Sequence, residues 1–436
     1  MRWFWQKVTQ SRFLRDMRLV GTGTLLAQIA MIVVSPLLTR LFSPEDFGIF
    51  AVVVAIASIL TTFSSLRLDV LIPFSRSRTT AVAFTQFVVL VAAACAVLIT
   101  IALLVFRTSL APWIGVDPSA PYTVLLLPAM IVVLAGMAAV RGLAVRGSAF
   151  RAIGRAQIVR VLMLIAVSLA LGYSGLVAAT GAGLIIGQLT GDLFFTLWLL
   201  LVLPRPLVMM LLRIRLGRIA RAIKTQKSAV AALSTTQMMA VVYERAPIFA
   251  ITAAYGPIYA GFYALAARVA GGPASLVASA FDDVFRQRAS KSWNAGKRFD
   301  GLIRRGLVLT LALSAVPALL LIVAMPNIIV PIFGPDWADA TYTMVLMFAV
   351  ALFGFNSKAF DKTSIILEAH RFIYVWHSAR MTLEVCAAAL ALANLCSYEV
   401  YLAIVATGRA ALYVAKLVVG SHLAKTMPLL TPKGSV

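Results

Sequence analysis

Long apolar runs broken by short polar intervals repeat along the whole chain. A helix needs about 20 apolar residues to cross a hydrocarbon core of about 30 Å. Runs of that length fall near 20–41, 47–71, 81–106, 118–141, 158–178 and 180–203, and again near 228–253, 257–285, 306–330, 338–358, 373–395 and 398–420. The pattern predicts twelve spanning helices. The interval 204–227 differs: Leu207, Met210, Leu212, Ile214, Ile219 and Ile223 alternate with Arg213, Arg215, Arg218, Arg221 and Lys224. It predicts a basic interfacial helix joining two halves. At the start, Trp3, Phe4, Phe13, Leu14 and Met17 interleave with Arg2, Lys7, Arg12, Arg15 and Arg18, which predicts a second amphipathic segment on the membrane surface. The resulting organisation is an amphipathic N-terminus (1–19), a six-helix bundle (20–203), a basic linker (204–227), a second six-helix bundle (228–420) and a tail (421–436). The first run is read as a retained helix, because no small-residue cleavage site follows it.

Composition removes other classes. Hydrophobic residues make up 61% and charged residues 13% of 436, against about 25% charged in a typical soluble domain. A cytosolic enzyme and a disordered chain are excluded. The three cysteines, Cys95, Cys386 and Cys396, lie in or beside apolar stretches without ligand spacing, so neither a disulfide framework nor a metal site is expected. The net charge of +23 raises nucleic acid as a partner, and the placement of that charge removes it. With the N-terminus cytoplasmic, only Arg40 and Arg107 fall on the outer side. Arg245, Arg268, Arg380 and Arg409 lie inside helices, and every other Lys or Arg falls on the cytoplasmic side. The positive-inside rule then holds at every loop with both termini cytoplasmic. One helix more or fewer would break the alternation.

The two halves resemble each other. Pro44-Glu-Asp-Phe-Gly48-Ile-Phe50-Ala51 aligns with Pro257-Ile-Tyr-Ala-Gly261-Phe-Tyr263-Ala264, and the same offset of 213 pairs Asp69 with Asp282. Weaker matches join Trp113-Ile-Gly115 to Ile332-Phe-Gly334, and Tyr122-Thr-Val to Tyr342-Thr-Met. Six helices per repeat is an even number, so the halves share orientation. A pseudo-two-fold axis along the membrane normal is expected, as in transporters with parallel repeats.

The segment Leu37-Leu-Thr-Arg40-Leu-Phe-Ser-Pro44-Glu-Asp-Phe-Gly48, with Ser65-Leu-Arg67-Leu-Asp69 after it, resembles the start of Wzx-type polysaccharide flippases of the multidrug/oligosaccharidyl-lipid/polysaccharide exporter superfamily. Tyr263-Ala-Leu-Ala-Ala-Arg268 through Pro273, and Phe333-Gly-Pro-Asp-Trp337-Ala-Asp-Ala340, are similar to the second half of that family. Asp69 departs from it, since Glu is commoner there. The resemblance implies an all-α integral membrane fold of two six-helix bundles around a central cavity, working by alternating access in a bacterial cytoplasmic (inner) membrane. It also implies a cargo of undecaprenyl-pyrophosphate-linked oligosaccharide destined for O-antigen, capsule or exopolysaccharide. Membrane lipids and other polysaccharide assembly proteins are the remaining expected partners.

Ionisable groups inside a bilayer are costly and mark cavities or internal pairs. Arg245 in helix 7 and Arg268 in helix 8 are candidates to bind a diphosphate, because a guanidinium keeps its proton and matches oxyanion geometry. Pairing with an intramembrane acid is the alternative for each. Arg409 in helix 12 is a third candidate. Arg67 and Asp69 near the cytoplasmic end of helix 2, and Arg40 near the outer end of helix 1, read as gate or entry positions or as local structure. Arg380 and Glu384 are four residues apart and pair along one helix face. Asp192 and Glu244 are the acids available to couple transport to a proton or cation gradient; no other cofactor is expected. Gln28 and Gln237 precede Pro36 and Pro247, which stand at nearly matching repeat positions as hinges. These glutamines bond either sugar hydroxyls or neighbouring helices. Trp3, Trp5, Trp113, Trp337 and Trp376 suit an aromatic belt. His370, His377 and His422 lie near cytoplasmic helix ends without ligand spacing.

Two other functions compete with the flippase. A drug or metabolite antiporter of the same superfamily is the nearer one, and the intramembrane arginines argue for an anionic cargo over a cationic drug. A membrane polymerase or glycosyltransferase is the other. Short outer loops, and the lack of a nucleophile triad or a phosphate-binding glycine loop, argue against it.

Overall fold

The computed structural model describes residues 12–75, 77–106, 121–175, 181–224, 227–367 and 369–426. The N-terminal residues 1–11, Trp113, Gly115 and the end of the tail, all singled out from the sequence, lie outside the described residues. The long helices are α1 (Arg12–Leu41), α2 (Pro44–Ser65), α3 (Arg78–Val105), α4 (Pro121–Arg146), α5 (Phe150–Ser174), α6 (Ala182–Val202) and α7 (Lys227–Tyr255). Next comes α8, built of Pro257–Ala266, a π turn over Ala267–Gly271, and Gly272–Asn294. The last four are α9 (Asp300–Phe333), α10 (Thr341–Lys358), α11 (His370–Leu392) and α12 (Tyr398–Thr426). Over its described residues each of the twelve apolar runs falls on one of these helices, the second run breaking at Leu66–Arg67 before a short helix, Leu68–Leu71. Among the described residues, nine helices are long and apolar enough to cross a membrane. The long helices outside that set, α7, α8 and α11, carry Glu244 and Arg245, Arg268, and Arg380 and Glu384.

The chain divides into two compact units. Unit 1 is Met1–Ile248 with Gly256–Gly261, and unit 2 is Phe249–Tyr255 with Phe262–Val436. Many large apolar side chains stay exposed, including Val308, Val316, Leu319, Leu320 and Val323 of α9. Patches this large suit a lipid solvent and not water.

The segment that carries the family resemblance is a structural device. Ser43 caps α2: its hydroxyl accepts from the Asp46 N–H at 3.2 Å, while the Asp46 carboxylate accepts from the Ser43 N–H at 2.9 Å. This is a capping box, with Pro44 in the first turn, where its missing N–H costs nothing. Asp46 also accepts from the Gly181 N–H at 2.7 Å, which ties the start of α6 to the start of α2. Gly181 takes φ of +62°, and a Cβ there would sit 2.7 Å from the Asp46 carbonyl oxygen.

The repeat is visible in space within unit 1. A Cβ on Gly48 would collide with the Pro257 carbonyl, and a Cβ on Gly261 with the Pro44 carbonyl. The two proline-started turns pack on each other reciprocally, as a two-fold relation between them requires.

The interval 204–227 differs from the single interfacial helix expected. It forms two short helices, Arg205–Leu212 and Leu216–Lys224. The break has a partner: the buried Gln86 amide of α3 donates to the carbonyls of Met210 (3.1 Å), Leu211 (3.0 Å) and Arg213 (3.2 Å), which are otherwise orphaned at a helix end. Pro36 and Pro247 lie inside their helices, and α4 and α9 also contain prolines, at Pro128 and at Pro317, Pro326 and Pro331.

Candidate functional site

In unit 1 the helix pair α5–α6 builds the first cluster. Gly183, Gly187 and Gly191 repeat at every fourth position of α6, the small-residue spacing that lets membrane helices approach closely. A Cβ on Gly191 would lie 2.6 Å from the Arg160 carbonyl oxygen, and one on Gly187 would strike the Ser168 hydroxyl. The close approach brings Arg160 to Asp192, the residue after Gly191. The Arg160 Nε–H donates to Asp192 Oδ1, and the Gln188 amide donates to Oδ2 at 2.9 Å. The Asp192 side chain is 1% exposed, whereas that of Arg160 is 22% exposed.

Where α2 ends, Leu66 and Arg67 both take left-handed backbone angles, φ of +47° and +56°. That is a strained region for residues with a Cβ. Arg67 Nη2 donates to Gln237 of α7 at 3.2 Å, and Nη1 lies 3.8 Å from Asp69. Asp69 also accepts from the Ser65 hydroxyl at 3.3 Å. Gly142 of α4 packs against this turn, since a Cβ there would lie 3.1 Å from the Asp69 carbonyl oxygen. Arg146 Nε donates to the Ser75 carbonyl at 3.2 Å. Further along α7, Glu244 is exposed and Arg245 half-buried. Gln28 is half-buried in α1 and Arg40 exposed near its end.

In unit 2 the second cluster is dry. Glu384 of α11 accepts from Arg409 of α12 at 2.8 Å and lies 3.1 Å from Arg380, its own-helix neighbour. Arg409 also donates to the Tyr263 hydroxyl at 2.9 Å. The side chains of Arg380, Arg409 and Glu384 are 5%, 6% and 0% exposed. Gly408 opens the approach: a Cβ there would lie 2.5 Å from Leu383, beside Glu384. The Arg380 guanidinium also stacks 5.4 Å from the Tyr413 ring centroid. Arg409 is therefore enclosed by protein. Arg268 is half-buried in the π turn of α8, and such turns occur frequently at functional sites.

A third charged group closes the end of unit 2. Lys416 of α12 donates to Asp361 and sits 4.0 Å over the Trp376 ring. Asp282, the repeat partner of Asp69, accepts from the Lys362 N–H at 3.2 Å and so holds the α10–α11 turn. Trp337 is fully buried against Phe262, with ring centroids 6.0 Å apart. For Trp337 internal packing replaces the expected belt, whereas Trp376 is half-buried.

Among the described residues no group of His, Cys, Asp and Glu is arranged to hold a metal ion. The sequence reading missed Arg160 and Gln188 as partners of Asp192, Lys416 as the partner of Asp361, and Arg409 as the partner of Glu384. The glycine spacing of α6 is a signal that could have found the first.

Comparison with known proteins agrees with this architecture. A multidrug resistance MATE family transporter of the MOP superfamily, in its inward-facing conformation, aligns over 93% of this chain and 94% of its own at 15% identity, with a TM-score of 0.53. The eukaryotic MATE transporter AtDTX14 aligns over 94% and 95% at 14% identity, with a TM-score of 0.54. No curated protein matches the sequence. Residues 37–342 match the family described as "Polysaccharide biosynthesis protein". The chain is thus a multi-pass membrane protein of the polysaccharide biosynthesis family, with a fold similar to that of the MATE transporters.

Proposed function

We propose that the protein is a flippase that carries an undecaprenyl-pyrophosphate-linked oligosaccharide from the cytoplasmic to the outer leaflet of a bacterial cytoplasmic membrane by alternating access. The family match over residues 37–342 carries this reading, because it joins polysaccharide assembly to a transporter fold. Charge placement supports the orientation, with both termini cytoplasmic. Arg245 and Arg268 are the residues assigned to the diphosphate. Each is half-buried within a long helix, where an ionisable group marks a cavity or an internal pair. Arg409 is withdrawn from that role by its bonds to Glu384 and Tyr263. Gln237 is held to Arg67, so both belong to one entry element at the end of α2. Of the two acids considered for gradient coupling, Glu244 is the one assigned here, because Asp192 is already neutralised by Arg160.

Deletion of the gene is expected to accumulate lipid-linked oligosaccharide facing the cytoplasm. Arg268→Ala and Arg245→Ala should each reproduce that accumulation at normal protein level. A deletion strain with unchanged lipid-linked glycans and raised drug sensitivity would overturn the flippase reading in favour of a drug antiporter.

A further inference from the structure

In unit 2 a cleft of about 300 Å³ opens between the α10–α11 turn and α12. Ser357, Thr363, Ser364 and Ser421 line it with hydroxyls, and Asp361 and Lys416 line it with charge. Thr363 is 4% exposed, and its hydroxyl has no hydrogen-bond partner among the described residues. A buried hydroxyl left unpaired is costly. Its neighbours in the lining do not answer it. The Ser421 hydroxyl donates to the Val418 carbonyl at 2.8 Å, and the Ser364 hydroxyl to the Asp361 carbonyl at 3.5 Å.

The charges at the cleft also leave donors over. Asp361 carries an ammonium on each carboxylate oxygen, Lys416 on Oδ1 and Lys362 on Oδ2 at 3.3 Å. Two ammonium groups therefore share one acid, whose oxygens are both taken. Asp282 is spent on the Lys362 backbone N–H. An ammonium has three N–H donors. Lys416 turns one to Asp361 and one face to the Trp376 ring, and keeps donor capacity for the cleft. Hydroxyls around a held ammonium suit a phosphate oxyanion. On α12, Val418 and Val419 stand among the lining positions Leu417, Gly420 and Ser421 and are 59% and 38% exposed. The cleft thus borders an apolar exposed strip. Its end of the bundle reads as cytoplasmic by the positive-inside rule. Basic pockets between spanning helices on that side take phospholipid head groups.

We infer that this cleft binds the phosphate of an anionic phospholipid, with the Thr363 hydroxyl and the Lys416 ammonium as donors. A soluble phosphate ester carries the same chemistry, and the exposed valines favour the lipid. The inference stands apart from the flippase reading.

The test titrates the full chain in detergent with phosphatidylglycerol, and separately with phosphatidylcholine, and counts bound lipid by native mass spectrometry. Wild type should prefer phosphatidylglycerol. Thr363→Val keeps the shape and removes the hydroxyl. It is expected to weaken phosphatidylglycerol binding about tenfold, the loss of one hydrogen bond to a charged group. Its melting temperature should not fall, because no bond within the protein is lost. The double variant Lys416→Gln/Asp361→Asn removes the ammonium without leaving an orphan acid, and should bring phosphatidylglycerol down to the level of phosphatidylcholine. Glycerol 3-phosphate added in excess should leave the lipid bound. Displacement by it would overturn the lipid assignment in favour of a soluble phosphate ester. Wild type without a preference, or either variant binding phosphatidylglycerol as wild type does, overturns the site itself.

Discussion

Each unit buries an acid that it answers with arginine, Asp192 in one and Glu384 in the other, yet the two answers differ. In unit 2, Glu384 meets Arg380 and Arg409, and all three are almost completely enclosed. In unit 1, Asp192 meets a single arginine whose side chain keeps about a fifth of its surface open. Both pairs depend on a glycine next to a charged residue: Gly191 precedes Asp192 and Gly408 precedes Arg409. The same local device thus serves two ends. Where the arginines are sealed, the network fixes three helices to one another: α8 through Tyr263, α11 and α12. Where one face stays open, the arginine keeps part of its surface accessible. Buried ion pairs add little net stability over apolar packing, but losing one partner is severe. The two clusters should therefore respond unequally to the same kind of substitution.

The largest effect is expected at Glu384. Glu384→Gln leaves two arginine charges enclosed without an acid, which costs about 3–5 kcal/mol for a broken buried pair. Thermal unfolding of the purified protein should show a large drop in melting temperature. A drop no larger than that of an exposed substitution would refute the sealed character of this cluster. Replacing the whole triad, as Arg380→Met with Glu384→Leu and Arg409→Met, should recover much of that loss, because no orphan charge remains. Asp192→Asn comes next. Arg160 keeps contact with water, so the expected cost is about 1–3 kcal/mol, the range for leaving a polar group unpaired. Equal losses at Glu384 and Asp192 would remove the distinction between the clusters.

The contrast was only half legible in the sequence. Helix positions were readable because bilayer thickness sets a length that an apolar run either meets or fails, and all twelve runs met it. The i,i+4 spacing of Arg380 and Glu384 was readable as well, because it lies within one helix. The partner of Asp192 lies 32 positions away and that of Glu384 lies 25 away, and such pairings depend on which helix faces which. The Gly183, Gly187 and Gly191 series marked the close face of α6, though not the helix that fills it. Arg160 was hidden by the charge rule itself: it stood at the edge of a basic stretch and read as an address for the cytoplasmic side. In the structure it lies well inside α5, the eleventh residue of that helix. Trp337 was misplaced for a related reason. An aromatic residue near a helix end suits an interface, and only packing shows that Phe262 covers it.

The smallest expected effect is the sharpest probe of the open cluster. Arg141 bonds to nothing among the described residues and repels Arg160, so Arg141→Gln should change stability by no more than about 0.5 kcal/mol, the scale of a substitution away from any contact network. Relief of the repulsion would place that change on the stabilising side. The check is the melting temperature of Arg141→Gln beside that of Asp192→Asn/Arg141→Gln. Sites that touch through a shared partner do not add. Removing Asp192 leaves Arg160 without its acid while Arg141 stays within electrostatic reach, and removing Arg141 as well relieves that repulsion. The double variant should then be more stable than the sum of the two singles. Simple additivity would mean that Arg141 and Arg160 do not act on one another, and the open cluster would reduce to the Arg160–Asp192 pair alone.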